Sequence, residues 1–168
     1  PFASKDELAK QMPFLNKEYL LYKSFANASV EELLGKDRLN NAAKKQVFEL
    51  ASCYYLNDGK GQFLTKELPR LAQSSAIYDL GLEDLTNNGT KELMVLGNNY
   101  EISTQLGRLD AFHGIILQQD QNGDFEYLTD SSFNVSGAMR TIRKITVGDK
   151  TVFIIGRNND TPLFLAKK

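Results

Sequence analysis

Few residues in this chain are of types that do chemistry by themselves. His113 is the single histidine among 168 residues, so any Ser-His-Asp arrangement would have to use it. It lies in the apolar stretch Ala111-Phe112-His113-Gly114-Ile115 and is expected as a packed strand residue. Cys53 is the only cysteine; it cannot form an internal disulfide, and no neighbour in sequence supplies a cation to activate it. A structural thiol in a strand with Tyr54 and Tyr55 is expected. Arg108 and Asp110 are separated by one residue, so an extended backbone places both on one face, where they pair or meet a ligand. Gly59-Lys60-Gly61 lacks the phosphate-loop spacing and leads into a strand. Arg140, Arg143 and Lys144 form a basic cluster without interleaved aromatics for stacking bases, which disfavours nucleic acid. No catalytic residue set emerges, so a non-enzyme is expected; the alternative is an enzyme with a site at loops, which a cluster of Arg108, Asp110 and His113 around one pocket would favour.

These residues must be positioned by a chain whose totals say little about ligand. Lys and Arg number 20 against 21 Asp and Glu, a net charge of −1. Nothing global calls for nucleic acid or an anionic membrane. No apolar run approaches the roughly 20 residues of a membrane span. The charge is uneven, however. Residues 76–130 carry ten acidic and two basic side chains, a net of −8; residues 131–168 carry seven basic and two acidic, a net of +5. Two such segments either attract each other across an interface or are solvated faces of neighbouring strands. The chain begins at Pro1 with no initiator Met and no signal-like core, which suggests a processed or truncated product.

The first 45 residues read as helical. Ser4 with Glu7, and Ser29 with Glu32, have capping-box spacing. Pro13 stops the first helix and can open the next. Leu15, Tyr19 and Tyr22 follow at helical spacing, and Gly35 suits a left-handed helix end. Residues 36–45 are ambiguous. After Lys45 the pattern changes: Val47–Leu50 and Cys53–Leu56 are rich in strand formers.

Residues 46–168 repeat themselves. Asp58-Gly59-Lys60-Gly61-Gln62-Phe63 matches Asp120-Gln121-Asn122-Gly123-Asp124-Phe125 at an offset of 62, and Ser74-Ser75-Ala76 matches Ser136-Gly137-Ala138 at the same offset. Leu93–Gly97 matches Val152–Gly156 at an offset of 59, each followed by an Asn pair. Each unit predicts short strands joined by Gly-containing turns, including a two-residue hairpin at Gly148-Asp149, with a Phe plugging the space between sheets. About four strands per unit is the signature of a propeller blade. The expected fold is therefore mainly β with an N-terminal α-helical segment: a helical segment over 1–45, then two four-stranded propeller-like blades, 46–108 and 109–168. Two blades do not close a ring, so the chain reads as part of a longer protein, or as a small two-sheet arrangement with covered edges.

Asp84-Leu85-Thr86-Asn87-Asn88-Gly89-Thr90-Lys91-Glu92-Leu93 resembles the Asp-x-Asn-x-Asp-Gly-x-x-Asp-Leu motif of FG-GAP/VCBS repeat proteins. Gly107-Arg108-Leu109-Asp110-Ala111 and Arg157-Asn158-Asn159-Asp160 resemble segments of their C-terminal blades. The resemblance implies a partial β-propeller, the C-terminal part of a bacterial protein that is secreted, periplasmic or at the outer cell envelope. It implies a non-enzymatic binding or interaction module for protein or glycan surfaces, or else purely structural blades whose functional site lies in the remaining blades of the parent chain. It further implies a calcium loop, with Asp84, Thr86, Asn88, the Thr90 carbonyl and Glu92 as ligands. The set is degenerate, since only two carboxylates remain where calcium wants six to eight oxygens. The alternative is a metal-free turn built by Asn-Asn-Gly. The corresponding stretch of the second repeat, Val147-Gly148-Asp149-Lys150, is too short to hold a metal.

Overall fold

The computed structural model describes residues 3–102, 107–129 and 133–167. Pro1, where the chain begins, lies outside them. The chain divides into two compact units, Pro1–Phe48 and Glu49–Lys168.

The first unit is helical because its start signals are strong and its runs are short. Helix α1 (Lys5–Gln11) opens on Ser4, whose hydroxyl accepts from Glu7 N while Glu7 reaches back to Ser4 N. It ends one residue short of Met12-Pro13, since a residue before proline avoids helical geometry. The Leu15, Tyr19, Tyr22 stripe is not one helix. It divides into α2 (Leu15–Glu18) and α3 (Tyr22–Asn27), and Tyr22 is exposed, donating to Asp6. Helix α4 (Val30–Leu34) has the expected Ser29/Glu32 capping box and ends at Gly35, with φ +76°. The ambiguous stretch forms α5 (Lys36–Asn41). Leu15, Phe25 and Leu33 are the buried residues at the centre, and Tyr19 meets Phe25 edge-on at 6.1 Å. Val47–Leu50 forms no strand, and Val47, Phe48 and Leu50 are exposed. Strand propensity alone does not order an extended run that has no ladder to join.

The second unit is mainly β. Strands β1 (Cys53–Asn57) and β2 (Phe63–Glu67) form a two-stranded hairpin. Strands β3 (Ile77–Glu83), β4 (Glu92–Gly97), β5 (Ile115–Gln119) and β6 (Phe125–Tyr127) form a four-stranded antiparallel meander. Strands β7 (Met139–Val147), β8 (Lys150–Arg157) and β9 (Leu163–Ala166) form a three-stranded one. One of these three sheets has four strands, but it coincides with neither expected blade, 46–108 or 109–168, because β3 and β4 precede residue 108 and β5 and β6 follow it. The described strands close no ring or barrel.

The repeat is structural, but the sheets are cut differently from the sequence. Asp58 N bonds Gln62 O at 3.0 Å, and Asp120 N bonds Asp124 O at 2.8 Å. The Asp58 and Asp120 carboxylates both accept amides two and four residues on. Gly61 and Gly123 both have positive φ, which is why the turn needs glycine there. Strand β3 is irregular between Ile77 and Asp79, and β7 between Met139 and Thr141, 62 residues later. Pairing Leu82 with Leu93 and Lys144 with Phe153 sets β4 and β8 apart by 60 residues, not 59. Hairpin β1–β2 therefore corresponds to β5–β6, and β3–β4 to β7–β8. The four-stranded sheet joins β3–β4 of one repeat to β5–β6 of the next, drawing strands from both sides of residue 108. Strand β9 holds on β8 the place that β5 holds on β4 (Leu163 opposite Ile155, Ile115 opposite Val95). One core, centred on Met94, Val95, Leu96, Leu117, Met139 and Ile155, runs through the sheets.

Candidate functional site

The loop between β3 and β4 is held from within. Glu92 is 1% exposed. Its Oε2 accepts from Leu85 N at 2.6 Å and Thr86 N at 3.3 Å, and its Oε1 accepts from the Thr86 hydroxyl at 3.1 Å. Asp84 accepts from Asn88 N at 3.1 Å and Gly89 N at 2.9 Å, and the Asn88 side chain accepts from Thr90 N at 2.7 Å. Asn87 and Gly89 take the left-handed conformation that the tight turn demands. The Lys167 ammonium donates to the Asp84 carbonyl.

Calcium requires lone pairs aimed at one point, whereas these carboxylates are turned to backbone N–H groups. Among the described residues, no group of three or more His, Cys, Asp or Glu side chains could hold a metal ion. The donor set does not fit calcium without reorganising its hydrogen bonds. The corresponding turn of the second repeat is a two-residue hairpin, with Val147 paired to Lys150 and Gly148 at φ +60°.

The other expected residues do not converge. Arg108 and Asp110 flank Leu109, which exchanges backbone bonds with Asn99 at 2.9 Å. No ion pair of the described residues joins them, and the Arg108 guanidinium lies 5.1 Å from the Tyr100 ring centre. The expectation for His113 is overturned: it is exposed and precedes β5, while its neighbour Phe112 fills the core at 2% exposure. Cys53 is half-buried and donates to Ala51 O at 3.4 Å. Burial, then the negative charges of Glu49 and Glu67, pushes its thiol up. That is the reverse of an activated nucleophile.

The basic cluster is consumed between sheets. Asp79 Oδ2 accepts from the Thr141 hydroxyl at 2.9 Å, Ile142 N at 2.9 Å and Arg143 Nη1 at 2.7 Å. Lys144 meets Glu83 at 2.7 Å. Arg140 lies 4.0 Å over the Tyr78 ring and donates to Asn98 O at 2.7 Å. The acidic and basic segments thus attract each other across the β3/β7 interface. Burial raises the Asp79 carboxyl, but hydrogen bonds from Ile142 N, Leu80 N, Thr141 and Arg143 outweigh it and hold the group below its ordinary range. The Lys66 hydrogen bond, then that of Tyr54, likewise lowers Asp124, tying β1–β2 to the β5–β6 turn.

Sequence reasoning missed the role of Asn98. It is 1% exposed with φ +84°. Its amide donates to Phe112 O at 2.6 Å and Gly137 O at 3.1 Å, while its carbonyl accepts from Phe112 N at 3.0 Å. The Asn pair after β4 was the available signal.

What remains unspent is apolar. On β3, Asp79, Gly81 and Glu83 face β7, while on the opposite face Leu80 and Leu82 are 48% and 57% exposed. Phe63, matched in sequence to the part-buried Phe125, is 61% exposed, so it plugs nothing, whereas Phe125 meets Tyr54 edge-on at 5.0 Å. No helix among the described residues is long and apolar enough to cross a membrane. No protein-family model, curated protein or solved structure matches the chain.

Proposed function

We propose that the chain is a non-enzymatic interaction module, the C-terminal part of an envelope-associated, FG-GAP/VCBS-type propeller that engages a protein or glycan surface. One observation carries the reading: the charged side chains of β3 and β7 are spent on each other, while Leu80 and Leu82 stand exposed on the opposite face of β3. Exposed apolar side chains side by side on an ordered strand mark a contact surface more readily than a reaction centre.

A second reading, blades that only complete a larger ring, is favoured by the incomplete sheets of two and three strands beside the one of four. The test is saturable binding of the purified chain to solubilised envelope proteins and to a glycan panel. Binding that falls at least tenfold in Leu80→Asp/Leu82→Asp, with the circular dichroism spectrum kept, supports the first reading. Absence of binding to either refutes it. Hydrolysis of ester or glycoside substrates that is lost in His113→Ala would replace both readings with an enzyme.

A further inference from the structure

We infer that the free edge of β1 and the exposed Leu80/Leu82 face of β3 receive a single occupant, an antiparallel β-hairpin built like β3–β4 and belonging to a further repeat of the parent polypeptide. The inference rests on the second reading, blades that complete a larger ring, and names the element that would cover this face.

Two interfaces already formed within the chain define the fit. The first is edge pairing. Strand β5 takes β4 along Ile115–Leu117, and β9 takes β8 along Leu163–Ala166. Strand β1 corresponds to β5, so its equivalent edge is Cys53–Tyr55. Among the described residues no strand pairs with that edge of β1, whose sheet has two strands, β1 and β2. An unpaired edge of this kind is a template for an added strand.

The second interface is face packing. Strand β3 lies over β7, with Asp79 held to Thr141, Ile142 and Arg143, and Glu83 held to Lys144. Gly81 leaves room for two side chains: a Cβ there would sit 2.8 Å from Met94 Cε of its own hairpin and 3.3 Å from Ile142 Cδ1 of β7. Shifting by one repeat of 62 residues, Ile142 becomes Leu80 and Lys144 becomes Leu82. A hairpin standing to β1 as β4 stands to β5 therefore brings its other strand over Leu80 and Leu82, as β3 lies over Ile142 and Lys144. One occupant fills both vacancies. It carries a small residue opposite Leu80. Opposite Leu82 it carries an apolar residue, where Glu83 meets Lys144 in the interface already formed. The donors that hold Asp79 on β7, the Thr141 hydroxyl and Arg143, become Asp79 and Gly81 on shifting by 62 residues, so the Asp79 position of the occupant has no side chain to donate to it and is neutral.

The test is a fusion. A hairpin of residues 76–98 bearing Asp79→Asn and Glu83→Leu is joined by a long Gly/Ser linker to the N-terminus of the complete chain. Hydrogen exchange is then followed at the outward amides of Cys53–Tyr55. Exchange slowed tenfold or more, and restored when the host part carries Leu80→Asp/Leu82→Asp, is the expected result. Unchanged exchange at Cys53–Tyr55 overturns the inference, as does slowing at Leu163–Ala166 instead. Equally slow exchange in the unfused chain also overturns it, since the edge would then already be filled. If Leu163–Ala166 slows instead, only this placement of the hairpin is refuted and the larger ring stands. If neither edge slows, the ring reading falls with it, and envelope or glycan binding through Leu80 and Leu82 decides for the interaction module.

Discussion

Replacing Glu92 with alanine separates the two readings of the β3–β4 loop. In the observed geometry the Glu92 carboxylate is fully buried and accepts from Leu85 N, Thr86 N and the Thr86 hydroxyl. A hydrogen bond to a charged group contributes about 1.5–3 kcal/mol, and a buried donor left unpaired costs about 1–3 kcal/mol. Thr86 is exposed and regains water when its acceptor is removed, so its two bonds count for little. Leu85 N is half-buried and does not regain water as freely. The net loss is about 3 kcal/mol, or about 10 °C in the melting midpoint of a domain this size. Asp84→Ala removes two bonds to exposed turn amides and costs about 1 kcal/mol. The assay is a thermal melt of the native chain and both variants in millimolar calcium and in excess EDTA. The expected pattern is a large drop for Glu92→Ala, a small one for Asp84→Ala, and the same midpoint for each protein in both buffers. If the carboxylates served calcium instead, the native midpoint would rise with the ion, by about 2.7 kcal/mol at 100 times the dissociation constant, and both variants would lose that rise. A calcium-dependent midpoint, or a Glu92→Ala shift below about 2 °C, refutes the reasoning.

Other outcomes follow from the same contacts. Asn98→Ala removes two buried hydrogen bonds and a part-buried one and leaves Phe112 unpaired, costing about 3 kcal/mol. Asn98→Gly, which tolerates the left-handed backbone, melts above the Ala variant by about 1 kcal/mol equivalent. Gly97→Ala places a Cβ 2.1 Å from Ala76 O, and loss of soluble, cooperatively melting protein is the expected readout. The Asp79 carboxyl titrates lower in the folded chain than the roughly 3.9 of a free aspartate. Its contribution is therefore complete above that value and lost as pH falls through the folded value. Asp79→Asn should flatten the acid limb of a stability-against-pH curve and leave the alkaline limb unchanged. Cys53, with its thiol raised by burial and by Glu49 and Glu67, should alkylate at pH 7 more slowly than a free cysteine peptide, and faster alkylation would contradict the environment described.

The sequence by itself determined what depends on near neighbours. The capping boxes of Ser4 and Ser29, the two Asp-x-x-Gly-x-Phe turns and the Gly148-Asp149 hairpin all close within a few residues, so residue type and spacing suffice. The repeat was legible for the same reason: each unit contains a complete set of local turns. The division into acidic and basic segments was legible as well, although sequence could not say whether Asp79 and Arg143 would meet.

Tertiary structure alone decided which strand pairs with which. A turn signal is the same whether its hairpin joins the repeat before or after it, and only the shared core brings β4 beside β5 across the interval between Gly97 and Ile115. The same limit explains the misplaced side chains. Neighbouring residues of an extended chain point to opposite sides, and the packing around Phe112 decided that His113 should be the one left outside. Val47–Leu50 has strand-forming residues and no strand, because a ladder needs a second edge. At Glu92, the resemblance of the loop to a calcium-binding motif implied a carboxylate available to a cation. The fold buried it and gave its oxygens to the loop's own amides, since a buried acceptor takes the nearest donors that relieve its desolvation.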